Sequence, residues 1–266
     1  MASFEIGKSP LAKRNVRPSL LVVAIVAPVS LLALYLWSTT PSLPSPHDLD
    51  AGGGATLARL AVFLAAWMLM TVAMMLPSAM PLIASLDRIA RHQPNRQGVP
   101  LFAALAYLCV WGLVGIAVWA TSVAVGAFIL PQTSEQVMTR LVGGCLVLIG
   151  LYGLSPLADA CLRACRRPFG FLARYWSGGS GALLQAARIG AAYGIACVGC
   201  CIPMLGIMFF GGMANIAIVI TMGVLLVIMK SNVVGALIAR FLSIALICVG
   251  TVMAIAWVPL FPTYHH

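Results

Sequence analysis

Ile195 to Gly206 reads IACVGCCIPMLG. Three cysteines fall within five residues of a run as apolar as a membrane span, and a proline follows two positions later. Cysteine here either fills space as a small hydrophobe or offers thiols to a soft metal. On a helix, positions i, i+3 and i+4 share one face, so Cys197, Cys200 and Cys201 project together, and Met204 and Met208 extend the same stripe. Pro203 withdraws an internal helix bond and frees the carbonyl of Gly199, four residues back.

The surrounding chain is that of an all-α integral membrane protein. Hydrophobic residues make up 62% and charged residues 8% of its 266 residues, against roughly 25% charged in a soluble domain. A spanning helix takes about 20 apolar residues, and the pattern places seven transmembrane spans at 19–38, 58–86, 101–129, 141–157, 188–210, 214–229 and 241–261. They form one polytopic domain over 19–261, between a basic tail at 1–18 and a short tail at 262–266. The net charge of +10 is a topology signal and points to the lipid bilayer as partner, not to nucleic acid. Lys8, Lys13, Arg14 and Arg17, then Arg88, Arg91 and Arg96, then Arg163, Arg166, Arg167, Arg174 and Arg188, and finally Lys230 and Arg240, all fall on one side. The positive-inside bias makes that side cytoplasmic. The N-terminus is then inside and the C-terminal tail periplasmic, as in a multi-pass protein of a bacterial inner membrane.

Soft ligands recur in the second expected span, where Met70 and Met74 stand four apart, Met75 adjoins them and Met80 follows. Sulfur ligands select copper(I) or zinc over hard cations. The histidines and carboxylates of a zinc hydrolase are missing from the apolar spans, which puts copper(I) ahead of zinc. Cys161 and Cys165 in DACLRACRRP can share one helical turn just past the fourth span, and Arg163, Arg166 and Arg167 beside them are expected to lower their pKa values. That pair is the natural point of metal uptake or release. Lone cysteines such as Cys109 and Cys248 read as small buried apolar residues. Met stripes at helical spacing often only pack, so the methionines carry less weight than the thiols.

MMLP at 74–77 and CCIP at 200–203 both set two soft residues and one apolar residue before a mid-span proline. Cys145 precedes Pro156-Leu157 by the interval that separates Cys248 from Pro259-Leu260. Together these matches suggest one anchor helix plus a three-plus-three inverted repeat, with Met and Cys faces opposed near the midplane, as in many transporters.

Three ordered motifs carry a family resemblance: W-x-x-M-x-x-A-M-M-x-P from Trp67 to Pro77, C-L-x-x-C-R from Cys161 to Arg166, and G-x-x-C-x-G-C-C from Gly194 to Cys201. Through them the chain resembles a bacterial family of predicted metal-binding integral membrane proteins, over roughly residues 58 to 232. The resemblance implies metal binding and leaves transport and catalysis both open. Family members often carry an acidic residue before the lysine that ends the next span; here Met229 precedes Lys230, which speaks against a membrane-embedded carboxylate.

Other features are weaker. His47, Asp48 and Asp50, with Tyr264, His265 and His266, could form an outer copper(II) site or a solvated turn and tail. The arginines and aromatics of 163–188 suit either an interfacial segment on anionic lipid or a plain cytoplasmic loop. Three functions follow. The first is a membrane protein that binds copper(I) through Cys197, Cys200 and Cys201 and hands it on, with a metallochaperone or partner membrane subunit. The second is a copper-dependent oxidoreductase or monooxygenase, or an accessory subunit of one. The third is an assembly subunit whose cysteines only pack. Oxygen activation by copper commonly uses imidazole, and the apolar spans contain no histidine.

Overall fold

The computed structural model describes residues 25–26, 28–33, 35–36, 57–90, 97–167, 169–177, 181–211, 216–231 and 234–256. Every regular element among them is helical. Helix α1 covers the described part of 25–36. It is followed by α2 (Leu57–Ile89), α3 (Gly98–Ala124), α4 (Glu135–Gly153), α5 (Pro156–Arg166), α6 (Phe169–Tyr175), α7 (Ala182–Gly211), α8 (Ile216–Ser231) and α9 (Gly235–Ala256). Five of them, α2, α3, α4, α7 and α9, are long and apolar enough to cross a membrane. Within α8 the apolar stretch Ile220–Lys230 is shorter. The described residues thus hold five qualifying helices where the sequence suggests seven spans. Half of the expected first span, the outer loop with His47, and the tail beyond residue 256 lie outside the described residues.

Two boundaries differ from expectation for identifiable reasons. The fourth span stops at Gly153, and Pro156 opens a new helix. Proline suits a first helical turn, where its missing N–H costs nothing, and the Ser155 side chain caps the turn by accepting from the Ala158 N–H at 3.2 Å. Nor is the segment 163–188 a simple loop. It contains the end of α5 and all of α6, anchored by buried Leu172 and by Phe171, whose ring meets Tyr193 of α7 edge-on at 5.6 Å.

Close backbone approach sets the packing. A Cβ added at Gly143 of α4 would lie 2.6 Å from the Gly250 carbonyl of α9, and one at Gly250 would lie 2.5 Å from the Gly143 carbonyl. Gly150 meets Ser243 and Ile247, so α4 and α9 are antiparallel along a seam of small residues, as is common between membrane helices. By contrast α3 and α7 are parallel: Gly98 meets Leu183, Gly190 meets the Ala103 backbone, and Gly194 meets Val110. Helix α2 runs parallel to α8, with Met74 against Gly223 and Ser78 bonded to Lys230, and antiparallel to α3, where the Trp67 indole donates to the Trp111 carbonyl at 2.9 Å. These directions agree with the alternation that the charge pattern requires.

The seam yields a direct expectation. Gly143→Val forces backbones apart and should lower the detergent-phase unfolding midpoint, at a cost of about 1–3 kcal/mol for overpacking. Gly144→Val, where nothing lies within 4 Å, should leave the midpoint unchanged; equal effects of the two would refute close packing at the seam.

Candidate metal centre

The cysteine face of α7 lies just before Pro203, which sits inside the helix. As the sequence predicts, the Gly199 carbonyl has lost its helical partner, and the Tyr152 hydroxyl of α4 donates to it at 3.0 Å. Gly199 has a second role: a Cβ there would sit 2.6 Å from Cys161 Sγ, so glycine gives α5 room to lie against α7 with that thiol where it stands. That approach delivers a fourth thiol. Cys165 Sγ lies 3.7 Å from Cys200 Sγ, and the sulfurs of Cys165, Cys197 and Cys200 all fall within 4.8 Å of one another. Cys201 Sγ lies 3.8 Å from Cys200 Sγ and 4.0 Å from Met75 Sδ of α2. All four cysteines and Met75 are buried.

These spacings suit a metal. Sulfurs bound to one ion at about 2.3 Å stand roughly 3.8–4.0 Å apart in tetrahedral or trigonal arrangement, by the geometry of those bonds. The neighbouring pairs Cys165–Cys200, Cys200–Cys201 and Cys201–Met75 stand at 3.7, 3.8 and 4.0 Å, and the mutually close set of Cys165, Cys197 and Cys200, within 4.8 Å, needs only a small contraction to reach that spacing. The donors are thiols and one thioether, the set that favours copper(I).

Polar groups from four helices surround the sulfurs. Tyr107 of α3 places its hydroxyl 3.2 Å from Cys197 Sγ and 3.3 Å from the Met75 carbonyl. Tyr193 donates to the carbonyls of Cys165 at 3.2 Å and Ser78 at 3.3 Å. Lys230 of α8 donates to Cys197 Sγ at 3.0 Å and to Ser78 Oγ at 2.9 Å. An ammonium turned inward among apolar helices needs an anionic or strongly polar partner, and Cys197 is the sulfur it meets. The charge pattern counts Lys230 among the cytoplasmic-side cations, and its side chain reaches into the cluster. The tyrosines were not singled out, although tyrosine inside an apolar span requires a buried partner for its hydroxyl.

Of the expected ligands, the structure brings together Cys197, Cys200, Cys201, Cys165 and Met75. Cys161 stands apart, half-buried against Gly199. Met74 packs on Gly223 of α8, and Met70 is buried in the core. Met204 lies beside Cys200 in the wall of a small cavity. Cys109, Cys145 and Cys248 are exposed on the outside of the bundle, where lipid-facing apolar residues belong, and are not the buried spacers expected of Cys109 and Cys248. The outer His47 group and the terminal histidines lie outside the described residues.

The expected lowering of the α5 thiols by nearby arginines is corrected. Burial, with a contribution from Cys200, pushes the Cys161 thiol up, and hydrogen bonding to Cys197 and Cys200, together with burial, pushes Cys165 up strongly. The arginines extend from the other side of this amphipathic helix, whose buried side is Ala158, Leu162 and Cys165.

A family described as PpoB2, copper chaperone, matches residues 64–253. The chain belongs to this copper chaperone family. The match spans all the clustered sulfurs, and the metal that the family handles is copper. No curated protein and no solved structure matches the chain.

For the copper chaperone fold seen here, thiol alkylation checks the burial pattern. In the folded, metal-free protein, Cys165, Cys197, Cys200 and Cys201 should resist iodoacetamide, and Cys161 should react partially. Because the Cys161 pKa is raised, its labelling should climb only above the ordinary thiol range near pH 8.5, later than that of a free thiol reference. Fast labelling of Cys161 at neutral pH would contradict its burial against Gly199.

Proposed function

We propose that the chain holds copper(I) in a bacterial inner membrane at the buried thiol cluster and hands it to a protein partner. The observation that carries the reading is the convergence of Cys165, Cys197 and Cys200 within 4.8 Å, next to the Cys201–Met75 contact at 4.0 Å, in a chain of a copper chaperone family. Copper is cargo here. Its binding displaces thiol protons, and three thiolates around one monovalent ion leave a net negative charge that burial penalises. The Lys230 ammonium, 3.0 Å from Cys197 Sγ, offsets part of that charge. Tyr107 at 3.2 Å gives the same sulfur a hydrogen-bond partner and holds its orientation.

The membrane topology in this reading is the charge-derived one, with the α5–α6 segment and the Lys230 end of α8 on the cytoplasmic side. Reciprocal glycine contacts between α4 and α9 support an inverted repeat. So does the matching of parallel pairs, since exchanging α2 with α7 and α3 with α8 turns the α3–α7 pair into the α8–α2 pair. Delivery of copper to an oxidoreductase, with this chain as its accessory subunit, fits the same site; imidazole ligands for oxygen chemistry would come from outside the apolar spans, which contain no histidine.

Metal content decides the reading. The full chain, purified anaerobically with copper supplied, should carry near-stoichiometric copper by mass spectrometry. Cys200→Ser and Cys165→Ser should lose it, whereas Met70→Leu and Met74→Leu should retain it. Lys230→Met should keep the fold and weaken copper(I) affinity by about 10–100-fold, the usual effect of removing an outer-shell partner. Loss of copper in the two methionine variants but not in the cysteine variants would overturn the assignment.

A further inference from the structure

Cys200 has two sides. One faces the other thiols. On the other, a cavity of about 10 Å³ is lined by Cys200, Met204 and Met229, and its wall also includes Asp159 and Ser243. Met204 follows Cys200 by four residues on the same helical face, and Met229 comes from α8, immediately before Lys230. Both methionines are buried, 2% and 5% exposed, so their thioethers are dry, soft and uncharged. At the surface side, the Asp159 carboxylate of α5 pairs with Arg240 of α9 at 3.2 Å, and the arginine side chain is 58% exposed. One small cavity therefore touches both a buried cluster thiol and the partner of an exposed ion pair.

We propose that the Met204–Met229 cavity is a second, weaker copper(I) subsite through which the ion passes between the thiol cluster and the surface that carries Asp159 and Arg240. The inference rests on the copper-holding reading above and adds a route to it. Transfer is ligand exchange without redox change: a copper–thiolate bond to the cluster breaks, a copper–thioether bond forms, copper stays monovalent, and the released thiolate takes a proton from water. The thioethers compensate less charge than thiolates, so the ion is held more weakly and moves on. Room for about one water-sized sphere admits a bare ion and excludes a chelator or a thiol peptide. The rival route runs past Cys161, which is half-buried on the far flank of Gly199.

The test uses the full chain in detergent, loaded anaerobically with copper(I) and mixed with excess bicinchoninate, whose colour reports release. Met204→Leu and Met229→Leu keep side-chain volume, a class of change that cores tolerate. Each should release copper about tenfold more slowly than the native chain, a barrier change of about 1.4 kcal/mol, while Cys161→Ser releases at the native rate. Met229→Cys, which puts a tighter-holding thiol in the cavity, should retain a second copper per chain. Native release rates in both leucine variants, slowing confined to Cys161→Ser, or a single copper in Met229→Cys would each overturn the subsite. A native chain that takes up no copper would overturn the copper-holding reading and the route with it, whereas normal loading with unchanged release overturns the route alone.

Discussion

Pro203, inside the continuous helix α7, is the constraint on which the site depends. Proline removes one helix bond and leaves the Gly199 carbonyl exposed in a setting where an unpaired polar group costs several kcal/mol. Tyr152 satisfies it, which ties α4 to α7 at the level of the cysteines. Glycine at 199 lets α5 close on the same point, and α5 brings Cys165. A substitution at Pro203 or Tyr152 therefore acts on this arrangement without touching a sulfur, and one at Gly199 meets only Cys161, which lies outside the cluster.

Around that point, the polar groups are arranged in a way that plain packing does not require. Four thiols could fill space as small hydrophobes. A lysine and two tyrosines directed at the same few ångströms would then be a liability, because each must be desolvated. Their convergence on Cys197, Cys165 and the Met75 and Ser78 carbonyls makes sense around an anionic sulfur centre.

Much of this was legible in the sequence, and the misses have physical causes. Helical spacing predicted the shared face of Cys197, Cys200 and Cys201, and the proline rule predicted the freed Gly199 carbonyl, because both depend only on residues in one helix. Which methionine of α2 meets the thiols depends on how the helix is rotated about its axis, which spacing alone does not give; Met75 faces the cluster where Met70 and Met74 seemed equal candidates. Choice between Cys161 and Cys165 turned on the same issue. That Lys230 reaches the thiols is not legible in the sequence, because a lysine at a helix end ordinarily snorkels to the interface and only its tertiary contacts with Ser78 and Cys197 show the direction of the side chain. The arginines of α5 misled in a similar way, since proximity in sequence placed them near thiols that burial separates from them.

The central claim is that copper(I) is held by sulfur alone at the convergence of α2, α5 and α7. X-ray absorption at the copper edge of the anaerobically loaded chain tests it most directly. The account predicts a copper(I) edge with only sulfur neighbours at about 2.3 Å, disrupted in Cys200→Ser. A first shell of nitrogen or oxygen, or an unaltered spectrum in that variant, would contradict it.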